Sequence, residues 1–514
     1  MICADVVGER SRLSPERTAI VDVGTGQRLT YREMNHRASI CARAWLYGLG
    51  LKPGDRLGFL SGNRLEFIDA YFAAGKSGII LVPLGTRLSA PELAVIAGDA
   101  GLSALVYSGE QVETVRELAA GTQVGRQVAL DDKAFEIDLG WEETVQSIGE
   151  GEFVPQVCQP EDPFCLLYTS GTTGRPKGVV IPHRMVAWNA YNTVVCWQLT
   201  EDDVSSIFTP LYHAGGLSAF LMPIMLAGGT IVLHHGFDTG EVWRTIEAER
   251  CTVVLGVPTI WKMLADAPEF ATTDLSHVRC LFSGGAPLPR HLIDIYRERG
   301  VVMRQGYGLT EVGVNCFSMS DEEAWTKAGS IGRALMFTEA KVIDEGGQAL
   351  GPDQVGELCF RGPHVSAGYW NNPQATAQSR DAEGWFHTGD MARYDADGFF
   401  YIAGRAKDMF ISGGVNVYPA EIENILLQHA SLADAAVVGV PHEKWGEVGV
   451  AFVVAAQGQA VTAEELTGYL GGKLARYKIP REFRFVEQLP RTPYGKVVKG
   501  ELVKRWHEEN QASK

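Results

Sequence analysis

Residues 163–178 read Pro163-Phe164-Cys165-Leu166-Leu167-Tyr168-Thr169-Ser170-Gly171-Thr172-Thr173-Gly174-Arg175-Pro176-Lys177-Gly178. The apolar run before Tyr168 predicts a strand, and the eleven residues from Tyr168 pack three glycines, four hydroxyls and a lysine into one turn. Glycines let backbone N–H groups approach an anion, hydroxyls add donors, and the lysine adds a mobile positive charge, which is what a polyphosphate cradle requires. It is not a Walker A loop, because Lys177 follows Arg175-Pro176 rather than the glycine of GxxxxGK[ST].

Outward from this loop the chain alternates helical and strand patterns. Thr30 with Glu33 reads as a capping box opening an amphipathic helix to about Tyr47, stopped by Gly48 and Gly50. A short apolar strand (57–60), a helix through Phe67 and Tyr71, a buried strand (78–83), a helix from Ser89 and a strand at 104–107 follow. Such alternation predicts parallel sheets covered by helices, with ligands at loops beyond the strand ends. The uncharged stretch 214–233 approaches membrane-spanning length, but Pro223 and the pairs Gly215-Gly216 and Gly228-Gly229 divide it into a buried helix and the strand Thr230–Leu233. From about residue 329 the pattern turns to short strands between Gly, Pro and Asp. The 107 residues from Asp408 carry their own α+β pattern, long enough to fold separately.

The expected fold class is therefore α/β: a large N-terminal domain of helix-covered sheets (1–404) with a small β-rich subdomain (about 329–404), a hinge at 405–408, and a separate mobile α+β domain (409–514).

Four further segments bear on chemistry: Gln305-Gly306-Tyr307-Gly308-Leu309-Thr310-Glu311, Trp385-Phe386-His387-Thr388-Gly389-Asp390, Gly404-Arg405, and Pro490-Arg491-Thr492-Pro493-Tyr494-Gly495-Lys496. With the first loop, and in this order, they resemble the motifs of the adenylate-forming superfamily of acyl-CoA synthetases, adenylation domains and firefly-type luciferases. The resemblance covers nearly the whole chain. It implies that Tyr307 stacks on adenine between Gly306 and Gly308, Thr310 contacts the α-phosphate and Glu311 holds Mg²⁺. It implies further that Asp390 and Arg405 bind the ribose, that Lys177 with Thr169, Ser170, Gly171, Thr172, Thr173 and Gly174 binds the β- and γ-phosphates, and that Lys496 is the adenylation lysine. Gly285 and Ala286 are assigned to the nucleotide as well.

Leu211-Tyr212-His213-Ala214-Gly215-Gly216 resembles the family segment bordering the acyl carboxylate and the thiol entry. The acyl pocket is expected from Tyr212, His213, Gly284, Gly285, Gly308, Val312 and Gly313, whose small apolar character after Glu311 suits a hydrophobic acid. Asp202 and Asp203 read as a solvent-like turn, unlike the amine-binding aspartate of amino-acid adenylation domains. In the tail, Gly413 and Gly414 resemble the loop that admits the pantetheine arm of CoA, though a plain β-turn would use the same residues. Trp445 resembles an aromatic near the CoA nucleotide, with core packing the competing reading. Lys407 occupies the family's hinge position.

The implied reaction joins a carboxylate to the α-phosphorus of ATP, releases pyrophosphate, and passes the acyl group to CoA. ATP, Mg²⁺ and CoA are thus the expected cofactor set, with a fatty, aromatic or heteroaromatic acid as partner. Transfer to an amine or carrier-protein thiol would use the same motifs. A non-catalytic ATP or adenylate sensor is disfavoured, because Lys177, Glu311, Asp390, Arg405 and Lys496 are all present.

Composition narrows the remaining classes. The 46 Lys and Arg against 62 Asp and Glu leave a net charge of −16, which argues against a nucleic-acid partner. Nine cysteines form no CxxC pair and read as reduced thiols of a cytoplasmic protein. No signal peptide or transmembrane segment is expected. A homodimer is allowed for, with no residue arguing for or against it. Glycine is in excess, 58 of 514 residues against about 7% in average proteins, and many glycines fall in the motifs above.

Overall fold

The computed structural model describes residues 5–122, 124–149, 151–169, 176–456, 458–491 and 497–511. An eight-stranded sheet forms the frame. Its order is Gly368–Tyr369, Lys177–Pro182, Pro163–Thr169, Ile80–Leu84, Arg56–Leu60, Ala104–Tyr107, Arg126–Ala129, Leu139–Gly140. From Pro163–Thr169 to Leu139–Gly140 the neighbours are parallel. The hairpin Pro163–Thr169 with Lys177–Pro182 is antiparallel, so the glycine-rich loop joins two sheet-anchored strands.

Local sequence explains the elements. Ile80–Leu84 is buried at all five positions, as a central strand covered on both faces must be. Helix Leu65–Ser77 behind it is buried along nearly its whole length and reads as a core helix. The capping boxes of Thr30 with Glu33 and Ser89 with Glu92 both form, and the Glu92 carboxylate accepts the Ser89 N–H at 2.8 Å.

A second sheet runs Val204–Ile207, Thr230–Leu233, Thr18–Asp22 and Arg28–Thr30, and a third, parallel one runs Val253–Gly256, Cys280–Ser283 and Met303–Gln305. The apolar stretch near 214–233 forms a π-type turn at Gly215–Leu221, the helix Met222–Ala227 and the strand Thr230–Leu233. Among the described residues no helix is long and apolar enough to cross a membrane.

The β-rich part is an antiparallel sheet of Glu339–Ile343, Gly356–Arg361, Phe386–Tyr394 and Phe400–Arg405. One piece of this stretch leaves it: Gly368–Tyr369 pairs with Lys177–Pro182 at the edge of the large sheet. The tail builds a five-stranded sheet with a core of its own that includes Phe410, Ile422, Val437, Ala451 and Leu466.

The solvent-like reading of Asp203 is corrected. Asp202 is exposed, but Asp203 is only 3% exposed and is paired with Arg279, whose Nη2 lies 2.9 Å from Oδ2. Asp203 also accepts the Thr252 hydroxyl at 2.6 Å and the Thr200 N–H at 2.8 Å. A charge this buried persists because it is paired and hydrogen-bonded, and it is committed to the fold.

Candidate active site

Strand Phe386–Tyr394 alternates inward and outward residues, and its register sets Asp390 opposite Arg405. Arg405 Nε lies 2.6 Å from Asp390 Oδ1, and the Tyr307 hydroxyl donates to Asp390 Oδ2 at 2.5 Å. Behind Asp390, Glu357 accepts the Gly389 N–H at 2.8 Å and lies 2.9 Å from His387 Nδ1, fixing the turn that presents the aspartate. Burial and the Asp390 carboxylate push the Tyr307 phenol well above its ordinary value, so the hydroxyl stays a donor. One face of the Tyr307 ring is turned to the protein, since the ring stacks with Phe360 at 6.1 Å between centroids.

The glycines around Tyr307 divide by physical role. A Cβ added to Gly306 would meet only the Ser283 carbonyl at 3.8 Å, and one on Gly284 would meet nothing within 4 Å. At Gly308 it would sit 2.4 Å from the Val314 backbone, so this glycine is demanded by packing. Gly285 and Ala286 are exposed in the loop after Cys280–Ser283.

Lys177 opens its strand opposite Thr169, and its ammonium lies 5.1 Å from the centroid of the Tyr369 ring. Tyr369 is held by strand pairing with Val179 and by the Trp370 N–H, which donates to the Gly178 carbonyl at 2.7 Å. Its hydroxyl donates to Glu311 Oε1 at 3.1 Å. Glu311 lies in the short turn Thr310–Val312, whose backbone is tied down by the Ser366 N–H donating to the Glu311 carbonyl at 2.8 Å. Among the described residues Glu311 makes no salt bridge, which leaves a carboxylate of the kind a hard cation takes. Sequence reasoning missed Tyr369. Its two partners are remote in sequence, and a Gly-Tyr-Trp triplet carries no spacing signal. Ser170, Gly171, Thr172, Thr173, Gly174 and Lys496 lie outside the described residues.

Tyr212 is buried, and His213 Nδ1 accepts the Gly215 N–H at 3.3 Å. A cavity of about 10 Å³ is lined by Ala214, Thr310, Gly313 and Val314 together with Met185 and Asn189. Val312 is corrected: it is fully buried among Cys316, Phe317 and Phe360 in the core of the β-rich part, because the turn at Thr310–Val312 points it away from that cavity.

In the tail, Gly413 (φ +61°) and Gly414 (φ +82°) form the two-residue turn between Phe410–Ser412 and Val415–Val417, with Ser412 paired to Val415. Two positive φ values in succession suit glycine, so the turn alone accounts for both residues. The Gly413 N–H donates to the Trp445 carbonyl at 2.8 Å, and the Trp445 ring would lie 3.1 Å from a Gly413 Cβ. Trp445 is 36% exposed rather than core, with Lys444 over its indole. Lys407 is exposed in the turn Ala406–Asp408 that follows Arg405.

Two charge assemblies thus share one segment of chain. Tyr307 reaches Asp390 and Arg405, while Glu311, four residues on, reaches Tyr369 and through it Lys177. The family profile of the AMP-binding enzymes matches residues 8–370, and that of the AMP-binding enzyme C-terminal domain matches residues 421–496. The chain is 40% identical over 501 residues to a feruloyl-CoA synthase from an Amycolatopsis species, with 97% of each chain covered. It is 37% identical over 496 residues to a long-chain-fatty-acid–CoA ligase of Mycobacterium tuberculosis, with 96% of each covered. Among solved structures, ATP-bound MatB from Rhodopseudomonas palustris matches with a TM-score of 0.85 at 30% identity, covering 98% of this chain and 99% of that one. The chain belongs to the AMP-binding enzymes, the adenylate-forming superfamily that includes the acyl-CoA synthetases. Its reaction is ATP-dependent activation of a carboxylic acid followed by transfer to CoA, with Mg²⁺ as the cation.

Proposed function

We propose that the acid is a hydrophobic fatty or aromatic one and that the two half-reactions are divided among the residues described above. The observation that carries this reading is the common segment 305–311, which holds Tyr307 and Glu311 at fixed spacing. The ribose and adenine end of a nucleotide would meet Tyr307, Asp390 and Arg405. Its phosphate end would meet Lys177 and Thr310.

Both reactants are anionic, so the site must place positive charge and fixed donors where charge develops. Lys177, with Thr169 and the loop hydroxyls, takes the β- and γ-phosphates. Glu311 would hold Mg²⁺, which would supply further positive charge to the site. Lys496 bridges the incoming carboxylate and the α-phosphate, an interaction strongest in the transition state. No general base is required, because a carboxylate is already ionised near neutral pH. Tyr212 and His213 border the acyl carboxylate.

For the second step the tail reorients about Lys407 and brings Gly413 and Gly414 to the adenylate, with Trp445 beside the CoA nucleotide. The absence of side chains at the turn supports a route for the thin pantetheine arm. We place the enzyme in the cytoplasm, in keeping with cysteines that form no CxxC pair and read as reduced thiols.

The test is incubation with ATP, Mg²⁺ and CoA against fatty, benzoic, cinnamic and heteroaryl acids, measuring pyrophosphate and thioester separately. Both products with at least one hydrophobic acid are expected. Pyrophosphate without thioester would redirect the second step to an amine or a carrier protein, and neither product would overturn the reading.

A further inference from the structure

The cavity beside Thr310 and Gly313 contains an unmatched acceptor. Asn189 is 2% exposed, and its Nδ2 donates to the Ser218 carbonyl at 2.7 Å. A carbonyl only accepts, so the amide orientation is fixed and the other atom facing the cavity is Oδ1. Asn189 Oδ1 is buried and has no hydrogen-bond partner among the described residues. A buried acceptor left unsatisfied is costly and calls for a ligand or a water.

The space before this oxygen is kept clear by a second residue. A Cβ added to Gly313 would stand 2.8 Å from Asn189 Oδ1, and Gly313 itself has φ +75°. Any other residue at 313 would fill the approach to the acceptor. The cavity measures about 10 Å³, room for one water-sized group; Ile181, Met185, Val186, Ala214 and Val314 supply apolar wall, and Ser218 and Thr310 also line it. Among the described residues Asn189 Oδ1 is a buried, unpaired acceptor in this wall, and such a group fixes orientation and selects for a donor.

We propose that the acid this enzyme activates carries a hydroxyl group, which lodges in the cavity and donates to Asn189 Oδ1. This rests on the acyl-CoA ligase reading above and names the substrate class within it. The unsubstituted acid leaves Asn189 unpaired, and sites built around such a bond reject the analogue that lacks it.

The experiment compares matched acids on the full-length enzyme: cinnamate with its monohydroxylated isomers, and octanoate with 2- and 3-hydroxyoctanoate, reading kcat/KM for thioester formation. At least one hydroxy acid is expected to exceed its parent by about 10-fold or more. In Asn189→Leu that preference should collapse, with kcat/KM for the hydroxy acid falling to within about 2-fold of that for its parent in the same variant. Gly313→Ala, which fills the approach without removing the amide, should reduce the same preference and serves if Asn189→Leu does not fold. Equal kcat/KM for every pair in the wild type, or a preference that survives both substitutions, overturns the inference while leaving the ligase reading intact. No product with any acid overturns the ligase reading and this inference with it.

Discussion

The Tyr369 hydroxyl donates to Glu311 Oε1 at 3.1 Å while the face of the same ring lies 5.1 Å from the Lys177 ammonium. One side chain therefore touches both the carboxylate assigned to Mg²⁺ and the lysine assigned to the phosphates. Tyr369→Phe keeps the ring under Lys177 and removes only the hydroxyl. Hydrogen bonds to charged groups are worth about 1.5–3 kcal/mol, so the Mg²⁺ concentration for half-maximal pyrophosphate release should shift by about 10-fold, with little change in Tm. Tyr369→Leu should add a rise in KM for ATP that Tyr369→Phe lacks. A Mg²⁺ titration of both variants checks the distinction.

Asp390 accepts from Tyr307 on one oxygen and pairs with Arg405 on the other. Asp390→Asn should raise KM for ATP by about 10-fold or more, the value of a lost charge-assisted bond. Tyr307→Phe should cost less. The double variant should fall short of the sum of the two, because the groups share one network. ATP dependence of pyrophosphate release, with acid saturating, measures all three.

Gly306 and Gly308 flank the same tyrosine yet should respond differently. Gly308→Ala places a methyl group 2.4 Å from the Val314 backbone and should destabilise by about 1–3 kcal/mol, seen as a lowered Tm. Gly306→Ala meets nothing closer than 3.8 Å, so Tm should hold while KM for ATP rises. Thermal melts beside ATP kinetics separate the two roles.

The turn Gly413-Gly414 has both a structural and a functional account, and asparagine distinguishes them. Asn tolerates positive φ, so Gly414→Asn retains the hairpin. If the glycines serve the turn alone, thioester formation should be unchanged. If pantetheine passes there, thioester formation from pre-made acyl-adenylate should fall by about 10-fold or more while pyrophosphate release holds, the separation expected of a group acting in one step only.

Much of this architecture was legible because its signals are local. Capping residues at Thr30 and Ser89, the buried run at 80–84 and the glycines breaking 214–233 each report on a few neighbouring residues, and the observed elements follow them. The site was legible where a motif holds several chemical groups together, as in 305–311 and 385–390. Four residues were not, each for a tertiary reason. Asp203 reads as a surface turn until Arg279, distant in sequence, closes over it. Val312 shares its small apolar character with Gly313 and Val314, and only the geometry of the turn sends it into the core. Tyr369 and Asn189 depend on pairings that no local spacing encodes.

The central claim is that one chain performs two chemically separate half-reactions with different residues, and Lys496→Ala tests it most directly. Pyrophosphate release from ATP and acid should be nearly abolished in this variant, while supplied acyl-adenylate is still converted with CoA to thioester at close to the wild-type rate. An equal loss in both half-reactions would contradict the account.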